Sequence, residues 1–190
     1  MKDLIEKWNS KSDLKSEMFL AKTETPLGDI WIGTTNEGIC FVDFIDDHEF
    51  EDKSSWITKS FKMKFTLKEA HPFIEQLKKE LEAYFNQKQT YFKTPLVLSG
   101  TDFQKQVYKQ LSEVPYGTTI TYQQQALNMG NQKAIRAVAT ANGSNKHLIV
   151  IPCHRIIGKD GKLTGYAGGI WRKKALLELE NAFEQTELKF

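Results

Sequence analysis

The run Pro152-Cys153-His154-Arg155 is where residue types and spacing in this 190-residue chain could do chemistry. A thiol is only roughly a few per cent ionised at neutral pH unless its surroundings favour the thiolate, which is the nucleophilic form. Basic neighbours lower a thiol's pKa, and an imidazole within reach can take its proton. Pro152 fixes its own φ and biases Ile151 toward an extended backbone. The thiol therefore stands at a rigid exit from the apolar run 148–151, which reads as an extended segment. Adjacency alone does not bring Cys153 and His154 together, because neighbours on an extended chain point to opposite faces. A bridging water or a turn would. A buried cysteine beside an unrelated histidine is the plainer reading of the pair in isolation. Metal binding is weaker still, with no second cysteine nearby and four histidines in all.

The following segment, GKDGKLTGYAGG, holds Gly158, Gly161, Gly165, Gly168 and Gly169, which mark tight turns or close backbone approach. Such a loop could wall a pocket that admits a flat base, with Tyr166 stacking on the base or shaping the opening. The GxGxxG and GxxxxGK[ST] spacings are absent, which rejects a nucleotide-cofactor site. A last helix expected over 170–183 supplies Glu178 and Glu180. A glutamate on a packed helix is usually solvated or paired, yet one of these could orient a histidine.

These residues need elements to position them. MFLAKTE, DIWIGTT and GICFVDF read as three strands separated by the turn signals Pro26-Leu27-Gly28 and Asn36-Glu37-Gly38. Cys40, inside the third, reads as a buried small hydrophobe. The Lys-rich run 46–68 shows no period and reads as a loop or ragged edge. Phe73, Leu77, Leu81 and Phe85 recur every four residues, which predicts a helix over 72–85 with one buried stripe. Residues 86–100 read as a crossover. Thr101 is the expected N-cap of a helix carrying Phe103, Val107 and Leu111, closed by Pro115 and Gly117. TTITYQQQALNMG and NQKAIRAVATANG then predict two short helices ending at Gly130 and near Gly143, a helix-turn-helix pattern. At about 100° per residue, Ala134, Ala137, Val138 and Ala141 share an inward face of the second helix and Arg136 points away. An arginine flanked by small residues can approach DNA closely; a solvated arginine is the bland alternative.

Composition sets the bounds. The chain is 40% hydrophobic and 26% charged, an ordinary globular balance. No apolar run is long enough for a membrane span, and the N-terminus lacks a secretory h-region. Two cysteines exclude a disulfide framework and a cysteine-rich zinc site, and a reducing, cytoplasmic compartment with both thiols reduced is expected. Charge is unevenly placed: residues 1–98 carry a net −3 and residues 99–190 a net +5. Residues 103–177 hold 11 basic residues against Glu113 and Asp160 alone. Such a field attracts a polyanion through counterion release, although small basic domains are also common for solubility.

IPCHR followed by GxxxGYxGG resembles the O6-alkylguanine-DNA alkyltransferases, also called methylated-DNA–protein-cysteine methyltransferases. The core of the resemblance spans about Phe103 to Glu180, with a looser likeness across the first hundred residues. It implies an α+β chain: a small ribonuclease-H-like N-terminal domain over 1–98, then a mostly helical winged-helix-like DNA-binding and catalytic domain over 99–190. It further implies minor-groove binding of double-stranded DNA, flipping of the damaged base and irreversible single-turnover transfer. The alkyl group passes from O6-alkylguanine, and by extension O4-alkylthymine, to Cys153. By the same resemblance His154 is the water-linked base, Glu180 the carboxylate that orients it, and Asn145 a member of the active-site network. Tyr122 donates a proton or hydrogen bond to the leaving guanine. Arg136 fills the vacated stack, with Thr101, Gln123, Ala134 and Ala137 completing the DNA-contacting set. Tyr166, Ala167, Ile156 and Asn142 line the pocket. Ala167 stands where some relatives have serine, which removes a hydroxyl contact. The alkyltransferase-like proteins that do not transfer carry tryptophan at the nucleophile position, and this chain keeps Cys153. No metal, cofactor or external methyl donor is expected, and a monomer is.

The chemistry also fits the residues themselves. Direct displacement at an alkyl carbon needs a soft nucleophile, a base and relief of charge on the leaving oxygen; Cys153, His154 with Glu180, and Tyr122 supply these. Two rival readings predict no stable adduct on Cys153. A cysteine hydrolase would turn over many times. A pure damage-recognition protein would explain the basic half and leave PCHR without a role.

Overall fold

The computed structural model describes residues 17–44, 63–68 and 70–182, together with Glu6 and Asn9. The chain divides into two compact units, one comprising 1–82 and 93–97, the other 83–92 and 98–190.

The first unit is built on a four-stranded sheet. Strands β1 (Glu17–Thr23), β2 (Ile30–Thr34) and β3 (Ile39–Phe44) form an antiparallel meander, as the three strand-like stretches and the turn signals between them predict. The sheet order is β3-β2-β1-β4, with β4 (Lys64–Leu67) parallel to β1. That last strand corrects the loop expected over 46–68. It is a four-residue edge strand in which only Phe65 is buried, and an exposed, Lys-bearing edge shows too little alternation to read. Residues 46–62 of that run lie outside the described residues. Met18, Leu20, Trp31, Cys40, Phe41 and Phe65 make one core cluster. Helix α1 (Pro72–Phe85) buries Ile74, Leu77, Leu81 and Tyr84, whereas Phe73 and Phe85 are half-buried. The four-residue spacing therefore misplaced the ends of the stripe. A helix turns every 3.6 residues, so a strict step of four drifts off the buried line. The last residues of α1, from Ala83, belong to the second unit.

The second unit is mostly helical: α2 (Asp102–Ser112), α3 (Tyr122–Asn128), α4 (Ile135–Gly143) and α5 (Ile170–Leu179). Thr101 caps α2 through a reciprocal capping box with Gln104. A 3-10 turn at 132–134 precedes α4, so Ala134 stands outside the helix. Val138 and Ala141 are buried as expected; the turn takes Ala134 out of the helix and leaves it half-buried, and Ala137 is exposed because it lies about 100° round the helix from Val138. Asn142 and Gln125 join α4 to α3 through a buried amide pair, Nδ2 to Oε1 at 2.6 Å. Two very short strands, β5 (Ile120–Thr121) and β6 (Ile156–Ile157), pair in parallel.

Candidate active site

The β5–β6 ladder aligns the site. Tyr122 follows β5 without a gap, and Cys153, His154 and Arg155 form a 3-10 turn that runs directly into β6. Two residues per strand suffice to set the register of the tyrosine against the cysteine. Such strands are too short to show any periodicity in sequence.

The apolar run before Cys153 is not extended, as the sequence suggested, but turned. Ile151 N–H donates to the His147 carbonyl at 2.8 Å, and Ile149 takes φ 71, a left-handed conformation unusual for a β-branched residue. Its side chains are buried throughout, so burial and not strand pairing accounts for the apolar composition. The Cys153 N–H then closes a tight turn on the Ile151 carbonyl at 2.8 Å, and Arg155 N–H bonds to the Pro152 carbonyl at 3.0 Å. A turn thus replaces the extended geometry that would have set Cys153 and His154 on opposite faces.

Cys153 is 5% exposed, and the buried Asn145 amide donates to its Sγ at 3.2 Å and to the Ile151 carbonyl at 2.9 Å. The Asn145 Oδ1 accepts from His147 N–H at 3.0 Å, which fixes the amide's orientation. A donor aimed at sulfur favours the thiolate. Tyr108 is pushed up to about 12, first by burial and then by the charge of Cys153; its hydroxyl holds the Ser144 carbonyl at 2.9 Å. Burial pulls Lys173 down to about 8, partly offset by Cys153. The Lys173 ammonium is fully buried and donates to the carbonyls of Ile156 at 2.5 Å, Thr164 at 2.7 Å and Gly165 at 3.4 Å. Ile156 is itself fully buried. The Tyr122 hydroxyl also reaches the Thr164 carbonyl, at 3.3 Å, and burial, more than Cys153, raises its pKa. Gly165, at φ 47, brings its backbone beneath that hydroxyl; a Cβ there would lie 3.6 Å from the tyrosine oxygen.

Glu180 is the C-cap of α5 rather than a helical residue, and this corrects the expected helix end; Phe183 lies outside the described residues. Its side chain is buried and accepts five hydrogen bonds. Oε1 takes His154 Nε2 at 2.8 Å, Arg155 Nη2 at 3.0 Å and Tyr84 hydroxyl at 2.6 Å. Oε2 takes Arg155 Nε at 2.8 Å and Gly117 N–H at 3.2 Å. Gly117 has φ 72, and a Cβ there would fall 2.8 Å from the Glu180 carbonyl oxygen, so only glycine brings its amide this close. Burial alone would raise the Glu180 carboxyl, but the bonds and charges of His154 and Arg155 outweigh it and hold it well below the usual carboxylate range. The carboxylate therefore orients and does not store a proton. His154 is fully buried and its pKa is lowered by burial, with Glu180 opposing. With Nε2 donating to a carboxylate, Nδ1 carries the lone pair, and among the described residues none hydrogen-bonds to it. Glu178, the other candidate, is exposed beside Lys174 at 3.8 Å.

The structure thus gathers Cys153, His154, Glu180, Asn145 and Tyr122 around one turn, with Tyr166 placing its ring edge-on to His154 at 6.3 Å. Ala167 is exposed on the same loop, and Asn142 has its amide engaged with Gln125. Arg136, Ala137 and Thr101 are exposed and Gln123 half-buried on the surface of the helical unit. Sequence reasoning missed Arg155, Lys173, Tyr108 and Tyr84. Arg155 stood inside the PCHR run and invited a carboxylate partner; the other three carry no local signal. Among the described residues, no group of three or more His, Cys, Asp or Glu could hold a metal ion, and no helix is long and apolar enough to cross a membrane.

Comparison with known proteins adds identity to this geometry. Residues 18–98 match the description "6-O-methylguanine DNA methyltransferase, ribonuclease-like domain", and residues 102–182 match "6-O-methylguanine DNA methyltransferase, DNA binding domain". The order agrees with the ribonuclease-like and winged-helix-like halves expected from the sequence. A methylated-DNA–protein-cysteine methyltransferase from Methanosarcina acetivorans is 41% identical over 166 residues, covering 87% of this chain and 99% of its own. The crystal structure of Mycobacterium tuberculosis O6-methylguanine methyltransferase aligns with a TM-score of 0.74 at 35% identity, over 87% of this chain and 93% of that one. The M. tuberculosis protein in complex with DNA aligns with a TM-score of 0.72 at 36% identity, with the same coverage.

Proposed function

Because the chain belongs to the 6-O-methylguanine DNA methyltransferase family, we propose that it repairs DNA by transferring the alkyl group of O6-alkylguanine to Cys153 in a single turnover. The observation that carries this assignment is the setting of Cys153. An amide donor lies 3.2 Å from its sulfur, and the next residue is an imidazole locked by a buried carboxylate.

His154 Nδ1 takes the thiol proton, directly or through a water, while Glu180 holds the ring. The sulfur attacks the alkyl carbon, an S–C bond forms and the C–O6 bond breaks. The electron pair stays on the guanine, which ends protonated, so the thiol proton is in effect returned to the base. Tyr122 donates to the departing oxygen or ring nitrogen; its 3.3 Å bond to Thr164 is long enough for a bound guanine to replace it. The thioether product is not readily cleaved by water or a second thiol, so the protein acts once.

Binding to double-stranded DNA is through the helical unit. The finer geometry we propose is minor-groove docking with α4, base flipping into the Cys153 site, and Arg136 in the vacated stack. The exposure of Arg136, with Ala137 beside it, supports this, as does the need to extract a base whose reacting carbon lies inside the duplex. Thr101, Gln123 and Ala134 join the DNA-facing set, and Tyr166, Ala167, Ile156 and Asn142 shape the pocket. O4-alkylthymine is the proposed second substrate. A monomer in a reducing, cytoplasmic setting is proposed as well, since an oxidised sulfur cannot attack.

Intact-protein mass spectrometry with peptide mapping tests the assignment, after mixing equimolar protein and a duplex holding one O6-methylguanine. A gain of about 14 Da on Cys153, at one equivalent and no more, is expected. An unchanged mass with the duplex still bound and the thiol reduced would favour damage recognition instead.

A further inference from the structure

Glu180 Oε1 accepts from three donors, and the shortest of the three bonds comes from Tyr84, at 2.6 Å against 2.8 Å for His154 and 3.0 Å for Arg155. We infer that Tyr84 is a positioning residue for the transfer reaction, its hydroxyl competing with His154 for Oε1 and so setting how firmly the carboxylate holds the imidazole. A carboxylate oxygen offers about two lone-pair directions, so three donors cannot all be served fully. What one donor takes, the others lose.

The position of Tyr84 makes this competition permanent. The side chain is wholly buried at the end of α1, in the part of that helix that belongs to the second unit. Its ring packs against Phe92 at 5.5 Å and edge-on to Tyr116 at 6.0 Å. Burial, and then the Glu180 charge, raise its ionisation well above that of an ordinary tyrosine. The hydroxyl is therefore a donor throughout the working pH range.

Other charged or titratable groups face the pair from each neighbouring element. Arg155 comes from the 3-10 turn, Lys173 from α5 and Tyr166 from the loop before it. Tyr116, from the segment before β5, turns its hydroxyl to the Leu179 carbonyl at 3.2 Å rather than to Glu180. Glu180 is held well below the usual carboxylate range, burial raises Tyr84 and Tyr116, and burial pulls Lys173 down to about 8.

Removing the Tyr84 hydroxyl leaves Oε1 to His154 and Arg155, which strengthens the bond to the imidazole and favours its protonated form. The test is an NMR titration of the His154 ring in a Cys153→Ser background, which removes the coupled thiol, with and without Tyr84→Phe. The imidazole of the Tyr84→Phe protein should titrate at higher pH. With Cys153 present, the transfer rate constant from an O6-methylguanine duplex should rise on the order of threefold, because burial holds His154 below its ordinary value and a stronger bond to Glu180 makes it a better base, with duplex affinity unchanged. Tyr116→Phe, which removes a hydroxyl from the same aromatic cluster but none from Glu180, should move neither quantity. A coincident titration overturns the proposal whether or not the rate changes, and so does a shifted titration with an unchanged rate. Should Tyr84→Phe not fold, 3-fluorotyrosine at position 84 keeps the ring, donates more strongly and should shift the titration to lower pH; no shift there also overturns it. The inference rests on Cys153 as acceptor and His154 as its base. A wild-type protein that takes no methyl group sinks both readings, whereas normal methylation with an unmoved titration sinks this one alone.

Discussion

Cys40 and Cys153 carry the same thiol, one in each unit, and both are almost wholly buried. Cys40 sits in β3 among Met18, Phe41 and Phe65, and burial pushes its thiol up; its polar neighbours are the Thr35 hydroxyl at 3.9 Å and the Gly38 carbonyl at 3.8 Å. Those contacts offer sulfur an acceptor or a distant hydroxyl, and neither stabilises a negative charge strongly. Around Cys153 the same degree of burial comes with an amide donor, a buried ammonium and an adjoining imidazole. Burial by itself makes a cysteine inert; burial among oriented donors and cations makes it a nucleophile.

The largest effect should come from exchanging sulfur for oxygen at the second site. Cys153→Ser should abolish transfer while keeping duplex binding, read by mass spectrometry and by gel shift. Retained transfer would erase the contrast between the two thiols. Next, Glu180→Gln asks whether the surroundings rather than the sulfur make the difference. The transfer rate should fall on the order of 100-fold, and stability by about 3 kcal/mol because Arg155 loses its buried counter-charge. Since the carboxyl of Glu180 is held below its unfolded value, its stabilisation is complete above about pH 4.3 and is lost as pH falls through the folded value. Denaturant melts of the two proteins should therefore converge in acid; a constant gap down to the lowest accessible pH would contradict this. Arg136→Ala separates delivery from chemistry. Repair of a duplex should slow about 10-fold, or ~1.4 kcal/mol, while reaction with free O6-benzylguanine changes little. Equal slowing would remove the flipping role. The smallest effect belongs to Cys40→Ser, which should leave one equivalent of transfer intact and cost about 1–2 kcal/mol in a thermal melt, for burying a hydroxyl in an apolar cluster.

The parts legible in the sequence were those whose cause is local. Three strands, the Thr101 cap and the paired helices all rest on neighbours within a few residues. The β5–β6 ladder escaped because two-residue strands have no period, and β4 because an edge strand can be mostly polar. Tyr84 escaped because a spacing of four pointed to Phe85 beside it. Lys173 looked like one more contributor to a basic surface, yet Lys173, Arg155 and Arg172 are buried. Part of the charge that suggested a polyanion partner is thus interior, bound to backbone carbonyls and to Glu180. Lysines 105, 109, 133, 159 and 162, with Arg136, remain exposed to meet phosphates.

Ile149 holds a left-handed backbone that a β-branched side chain adopts only under compulsion, at a cost on the order of 1–3 kcal/mol. Nothing in the five residues that follow would impose it; the compulsion comes from the packing of 147–157 into the interior. A short peptide of this sequence would relax to another shape, and a graft of the same residues onto a foreign loop would carry the letters without the bend. The motif is a signature of its host rather than a portable part, and a designer wishing to move this reactivity must transplant the walls along with the cysteine.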